Sequence, residues 1–184
     1  MDKKKILLVS LGHLSCDING GALPAILPFL RSAFDLSYQA TGGLMFAYSC
    51  LSSMIQPLFG LLSDRFSKPW FIPVGVLLAG CGLAAIGWMS GYWGIFAAIG
   101  LSGIGAALFH PEGARFANAV SGQNKATGMS LFSIGAAAGH SLPWGFWPDR
   151  DDSFCRAGCD NGEHSGVVHR PDGCNQEYRR ICWR

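Results

Sequence analysis

Two long stretches without a charged side chain flank a short charged hinge, and they constrain the fold more than any other feature. No Asp, Glu, Lys or Arg lies between Asp35 and Asp64, and none lies between Lys68 and Glu112. Each stretch is long enough for at least one helix that crosses a hydrocarbon layer about 30 Å thick. The hinge contains Asp64, Arg65 and Lys68 and is net positive. If positive loops stay inside, it faces the cytoplasm.

The composition and the apolar pattern predict an all-α integral membrane protein. Hydrophobic residues make up 49% of the chain and charged residues only 14%, which is typical of membrane proteins. Four full spans are predicted at roughly residues 6–30, 41–62, 70–89 and 92–109, and a partial fifth begins near residue 126. We expect a bend at Pro57 in the second span, because proline removes a backbone hydrogen bond. Lys3, Lys4 and Lys5 place the amino terminus in the cytoplasm.

The first span contains two ionisable side chains. His13 and Asp17 are four residues apart and so share one face of a helix. A charged group at mid-membrane depth costs roughly 3 kcal/mol on insertion scales, so it should face a cavity or a partner. Asp17 is the best candidate in the chain for a proton-carrying site. The alternative, that these polar groups only join helices through hydrogen bonds, stays open, and for His13 the two readings weigh equally.

A second polar group follows the fourth span. His110, Glu112 and Arg115 are expected where that span meets the cytoplasm, and together they could bind an anion or relay a proton. The alternative is an interfacial turn that Pro111 breaks, in which Arg115 only sets topology. Both interpretations remain open at this point.

The hinge resembles the loop between the second and third helices of major facilitator superfamily transporters. The matching positions are Gly60, Leu62, Asp64, Arg65 and Lys68, whereas Ser67 and Pro69 depart from the family pattern. The resemblance implies that Gly60, Asp64, Arg65 and Lys68 belong to a latch that joins the two helical bundles in one access state. A carboxylate facing the positive end of a helix, beside a basic side chain, is a physical basis for it. The alternative is a solvated loop that only fixes topology.

A narrower resemblance covers roughly residues 6–135. Asp17–Pro28 and Phe109–Arg115 look like the fosmidomycin-resistance branch of the superfamily. This implies a bacterial inner-membrane antiporter of twelve helices that exports a small drug in exchange for protons, of which this chain would hold part of the amino-terminal six-helix bundle. Its partners would be the small molecule, protons and the lipid bilayer, with no nucleic acid, cofactor or metal. Asp17, His110, Glu112 and Arg115 occupy positions of this pattern.

The last part of the chain has a different character. Of the 26 charged residues, 13 lie in the last 36 positions, together with four of the seven cysteines. We divide the chain into residues 1–135, which are transmembrane helices one to five, and residues 136–184, an irregular polar tail. Our hypothesis is an out-of-frame translation beginning near residues 135–139, which leaves a disordered tail and an inactive transporter fragment.

Three other functions are alternatives to drug export. An uptake symporter for a sugar or an organic acid would use the same carboxylate chemistry. A small membrane-anchored protein could bind metal through its tail, although the spacing lacks the paired cysteines of common zinc sites; the residues concerned are Cys155, Cys159, His164, His169 and Cys174. An enzyme is the weakest interpretation, because no nucleophile can be placed beside a base and an orienting partner.

Overall fold

Helices account for nearly all of the residues that the computed structural model describes, which are 1–66 and 70–145, without the side chains of Asp64, Phe66, Trp144 and Gly145. The α-helices are α1 (Lys3–Ala33), α2 (Tyr38–Met54), α3 (Gln56–Phe66), α4 (Phe71–Ala85), α5 (Tyr92–Val120) and α6 (Lys125–Gly145), and a 3-10 turn (Ile86–Trp88) follows α4. The chain divides into two units, Met1–Trp144 and Gly145–Arg184. All of these elements lie in the first unit, except for the last residue of α6.

The start of α1 is fixed by a charged cap. The Asp2 side chain accepts a hydrogen bond from the Lys5 backbone N–H at 3.3 Å and pairs with Lys5 Nζ at 3.1 Å. This hydrogen bonding with Lys5 lowers the pKa of the Asp2 carboxyl. The Asp2 backbone N–H donates to the Val120 carbonyl at 3.0 Å. The beginning of α1 and the end of α5 therefore lie on the same side of the helical unit.

The second predicted span is bent where the sequence indicates. Helix α2 ends at Met54 and α3 begins at Gln56, so the regular helix is interrupted two residues before Pro57. A proline inside a helix lacks the N–H for the ladder, and its ring crowds the carbonyl one turn earlier. The two segments still form one apolar crossing, Tyr38–Ser63, of 26 residues.

Helices α4 and α5 pack with their backbones nearly in contact. A Cβ added to Gly75 would lie 2.9 Å from the Gly105 carbonyl oxygen, and one added to Gly82 would lie 2.5 Å from the Ser102 backbone nitrogen. The Ser102 hydroxyl donates to the Ala79 carbonyl at 2.9 Å across the same interface. Small residues of this kind allow helices to approach closely in a membrane, where packing and hydrogen bonds replace the hydrophobic effect between helices.

Substitution of Gly105 by Ala is therefore expected to destabilise the chain. A Cβ at this position would meet the backbone of Ala79, which cannot move aside as a side chain would. Overpacking of this kind lowers the free energy of unfolding by about 1–3 kcal/mol. Gly80→Ala is the matched control, because a Cβ there meets nothing within 4 Å and alanine favours the helix. Thermal unfolding in detergent, followed by circular dichroism, measures both; equal stabilities of the two variants would contradict close packing at Gly105.

Helix α5 extends beyond the predicted fourth span. The alternative in which Pro111 breaks an interfacial turn is wrong, since α5 continues through Pro111 to Val120. His110, Glu112 and Arg115 therefore lie along a helix and not in a turn. Neighbouring helices can accommodate a proline inside a membrane helix.

Helix α6 packs against α1 through glycines. A Cβ on Gly139 would lie 2.7 Å from the Leu14 carbonyl oxygen, and one on Gly21 would lie 2.7 Å from the His140 carbonyl oxygen. Gly135 comes similarly close to the Ser10 carbonyl. These contacts follow about three turns of α1 and bring the side chains of α6 next to those of α1.

The all-α membrane architecture is confirmed. Within the described residues, four helices are long and apolar enough to cross a membrane: Lys3–Ala33, Tyr38–Ser63, Phe71–Trp88 and Tyr92–Val120. Large apolar side chains such as Leu8, Phe46 and Trp88 are exposed on the outer surface of these helices, as expected for contact with lipid. Helix α6 has 21 residues and occupies the position of the fifth predicted span.

The predicted boundary at residue 135 stays a prediction. Residues 136–145 of the predicted tail form the end of α6 and are not irregular. The rest of the tail lies outside the described residues, including the residues of the alternative zinc module, Cys155, Cys159, His164, His169 and Cys174. Sequencing of the coding DNA through codons 130 to 150 tests the out-of-frame hypothesis. The hypothesis predicts that another reading frame continues α6 with further apolar spans. If no frame encodes such spans, the hypothesis is contradicted.

Candidate functional site

Asp17 lies at the centre of a buried cluster of imidazoles. Its carboxylate belongs to the middle of α1, and the residue is only 3% exposed. The Nε2 atom of His13 lies 3.3 Å from Oδ2, and the Nε2 atom of His110 lies 3.4 Å from Oδ1. The Nδ1 atom of His140 lies 3.4 Å from Oδ2. Helices α1, α5 and α6 thus each contribute at least one imidazole to this single carboxylate.

His13 is held in one orientation by α6. Its Nδ1 lies 2.9 Å from the Phe132 carbonyl oxygen, and because a carbonyl only accepts, Nδ1 carries the proton. The rings of His13 and Phe132 are stacked with centroids 4.0 Å apart. The other ring nitrogen, Nε2, is therefore directed at Asp17. The i, i+4 spacing of His13 and Asp17 accounts for their contact within α1.

His110 approaches Asp17 from α5. Its ring meets the ring of His13 edge to face, with centroids 5.2 Å apart. Phe109, which is fully buried, lies beside both histidines, at centroid distances of 5.6 Å from His13 and 5.8 Å from His110. Aromatic rings thus cover one side of the cluster.

The arrangement is suited to holding a cation. With its Nδ1–H already donated, an unprotonated His13 would direct its Nε2 lone pair at a carboxylate oxygen 3.3 Å away. Two lone pairs at that separation repel each other unless a proton or a metal ion lies between them. A cation that binds at Asp17 or leaves it would therefore change the electrostatic interactions of three helices, α1, α5 and α6.

A second polar cluster joins α3 to α5. Glu112 is 1% exposed and forms an ion pair with Arg115 on the same helix. The Ser63 hydroxyl donates a hydrogen bond to the Glu112 carboxylate. The Arg115 Nε donates to Ser63 Oγ at 3.3 Å and to Glu112 Oε2 at 3.2 Å. The buried carboxylate is thereby bonded both within α5 and across to α3.

The structure separates the polar groups that the sequence placed together after the fourth span. His110 joins Asp17, whereas Glu112 and Arg115 join Ser63. The reason is the helical geometry of α5: at 3.6 residues per turn, His110 is rotated by roughly 140–160° from Glu112 and Arg115, which are only about 60° apart. The predicted group of three is therefore divided between two faces of one helix.

The predicted latch residues lie at and beyond the end of α3. Gly60 is near α5, where an added Cβ would be 3.9 Å from Pro111 Cβ. Arg65 is exposed in the last turn of α3. Lys68 and the side chain of Asp64 lie outside the part of the chain that the structure describes. The latch itself therefore stays a prediction.

Two residues of these clusters were not among the predicted site residues. His140 is an ionisable side chain in an apolar helix, and that feature alone marks a candidate functional position. Ser63 carries no such signal, because a serine near a loop is common. Only the packing of α3 against α5 reveals that it bonds to Glu112.

Comparison with known proteins then decides the family. Residues 9–142 match the Major Facilitator Superfamily. The chain belongs to that superfamily. This membership in a family of membrane transporters confirms the resemblance seen in the hinge, and it confirms that the chain is not an enzyme.

Individual members of the Major Facilitator Superfamily match this chain over only part of their own length. The chain is 32% identical over 134 residues to the fosmidomycin resistance protein of Escherichia coli strain K12, a match that covers 73% of this chain and 33% of that protein. It is 26% identical over 137 residues to the uncharacterized MFS-type transporter YfnC of Bacillus subtilis strain 168, covering 74% and 34%. The chain thus spans about a third of the length of these curated relatives. No solved structure matches it.

Proposed function

We propose that this chain supplies transmembrane helices one to five of a proton-coupled antiporter that exports a small drug such as fosmidomycin. The similarity to the fosmidomycin resistance protein supports the choice of substrate. The observation that carries the proton coupling is the buried Asp17 carboxylate with imidazoles at 3.3–3.4 Å. We propose that the polar tail lies outside the transporter fold and that it begins after residue 142 instead of after residue 135, because the family match reaches residue 142 and α6 continues to Gly145.

In this proposal Asp17 carries the proton, and His13 and His110 respond to its charge. When Asp17 is ionised, it attracts a protonated imidazole on α5; when it is protonated, that attraction is lost. Alternating access needs such a difference between two states, since a ligand shifts an equilibrium only by its differential interaction with them. Rocking of two helical bundles about a site near the midplane then moves the drug and the proton in opposite directions.

Glu112 and Arg115 have a different proposed role. Their bonds to Ser63 connect α5 to the end of α3, directly before the hinge with Asp64, Arg65 and Lys68. We propose that Glu112 and Arg115 hold the end of α3 in place during the transport cycle. Gly60 is the latch residue that lies near α5. A hinge that moves between access states requires a rigid element on at least one side.

The proposed location is the bacterial inner membrane with the amino terminus in the cytoplasm. The Asp2–Val120 hydrogen bond places the three amino-terminal lysines on the same side as the end of α5, where Lys125 follows. The opposite side has Arg31 and Asp35, which cancel. The excess of basic residues on one side favours that side as cytoplasmic.

Reporter fusions test this orientation. Alkaline phosphatase is expected to be active when fused after residue 36 or residue 90, and inactive after residue 67 or residue 123, because it folds only outside the cytoplasm. Green fluorescent protein at the same four positions provides the control and should give the opposite pattern. Activity of the phosphatase after residue 123 would reverse the proposed orientation.

A chimera tests the function. Residues 9–142 replace the matched segment of the Escherichia coli fosmidomycin resistance protein, and the chimera is expressed in cells that lack their own copy. We expect several-fold higher resistance to fosmidomycin than in cells with an empty vector. Drug uptake into inverted membrane vesicles should collapse when nigericin removes the pH gradient. A chimera that reaches the membrane but neither protects cells nor moves the drug would count against this function.

A further inference from the structure

We propose that His13, Asp17 and His110 bind a divalent transition-metal ion, for which Zn²⁺ is the simplest probe. One potential ligand atom from each residue lies within 4.8 Å of the other two. The spacing of these residues along the chain does not predict a metal site, because they come from two helices that are distant in sequence. Binding of the ion does not depend on the proposed export function, although it uses the same carboxylate.

The distances between ligand atoms fit a small metal ion. The Nε2 atoms of His13 and His110 lie 3.3 and 3.4 Å from the two oxygens of Asp17. Tetrahedral zinc holds nitrogen and oxygen ligands at about 2.0–2.2 Å, which puts neighbouring ligand atoms about 3.4 Å apart. Each imidazole nitrogen therefore already lies at about the ligand-to-ligand distance from one carboxylate oxygen, and the ligand atoms of all three residues lie within 4.8 Å of one another.

The surroundings already orient one ligand. His13 donates its Nδ1–H to the Phe132 carbonyl at 2.9 Å, which leaves Nε2 as the nitrogen directed at the site. Metal-binding histidines almost always have such a partner on the other nitrogen, since it fixes the tautomer and the plane of the ring. Asp17 is held in place as well, because Gly139 of α6 packs closely against its Cβ.

The donor set selects the kind of metal. Two imidazoles and a carboxylate suit Zn²⁺, Ni²⁺ or Co²⁺, whereas Mg²⁺ and Ca²⁺ prefer oxygen ligands. His140 offers a further imidazole, with Nδ1 at 3.4 Å from Asp17 Oδ2, and its side chain is 62% exposed. An ion can therefore enter the site beside His140, and the His140 imidazole can serve as a fourth ligand.

The test measures metal binding by the full chain, purified in chelator-free detergent. After incubation with Zn²⁺ and desalting, we expect about one zinc per chain at the cluster. Co²⁺ should give the visible absorption of a nitrogen and oxygen site, without the intense near-ultraviolet band of cobalt bound to thiolates. Zinc below about a tenth of an equivalent, or a cobalt spectrum with only thiolate character, would overturn the proposal.

Variants locate the ion within the chain. Asp17→Asn and His13→Gln should each weaken zinc binding at least tenfold, because each removes a ligand while keeping similar volume. The double variant His164→Ala with His169→Ala removes two histidines of the tail and should bind zinc as the parent chain does. Circular dichroism confirms that each variant keeps its helical content. Zinc loss confined to the tail variant would overturn the proposal, and because no transport is measured, neither result decides the export function.

Discussion

Asp17→Asn is expected to abolish drug export by the chimera. Asparagine has nearly the same shape as aspartate, so the packing of α1 against α5 and α6 should be retained. Its amide can neither take up a proton from one side of the membrane nor release it to the other. It also removes the negative charge that the three imidazoles at 3.3–3.4 Å surround. Proton-coupled export should therefore fall to the level of cells without the chimera.

Resistance to fosmidomycin and drug uptake into inverted vesicles measure this effect. The matched control is Asp35→Asn, which makes the same chemical change at an exposed position outside the spans. Asp35 has a φ of 49°, a conformation that asparagine tolerates well, so this variant should fold and export normally. Unchanged export in the Asp17 variant, at equal amounts in the membrane, would reject Asp17 as the proton carrier.

Arg115→Met is expected to cause the largest loss of stability. Glu112 is buried, and removal of its cationic partner leaves a carboxylate bonded only to Ser63 among the contacts described above. Because the Arg115 side chain is 39% exposed, we expect the free energy of unfolding to fall by an amount at the lower end of the range for a broken buried ion pair, about 3 kcal/mol. The methylene chain of methionine retains most of the packing that the arginine stem provides. The loss of stability should therefore reflect the missing positive charge of Arg115 and not a change in side-chain volume.

Unfolding of the purified chain in detergent measures this loss. Lys5→Met is the control, because it removes the cation from the exposed pair of Asp2 and Lys5, and exposed pairs contribute little to stability. The double variant Arg115→Met with Glu112→Gln should recover part of the stability, since no uncompensated charge remains. If Arg115→Met were no less stable than Lys5→Met, the buried pair would not support the junction of α3 and α5.

Several features could be predicted from the sequence because they depend on local order along the chain. The two charge-free stretches imply spans whatever their packing, since backbone polar groups in lipid must bond within a helix. The bend before Pro57 follows from the missing N–H. The contact of His13 with Asp17 follows from the i, i+4 spacing alone.

Prediction failed where direction around a helix mattered. His110, Glu112 and Arg115 are close in sequence, and one interpretation was therefore that all three come together at the end of the fourth span. The continuous α5 instead directs His110 to Asp17 and the other two to Ser63. A helix that continues through a proline assigns neighbours in sequence to opposite faces, and sequence distance then says little about contact.

The sequence by itself determined the number of long apolar spans, the charged hinge between them, and the pairing of His13 with Asp17. Only the tertiary structure decided that His110 and His140 complete the cluster and that Ser63 bonds to Glu112. The physical reason is that these contacts cross between helices. Their geometry depends on how closely the backbones approach, as Gly139 shows where α6 packs against α1 beside Asp17.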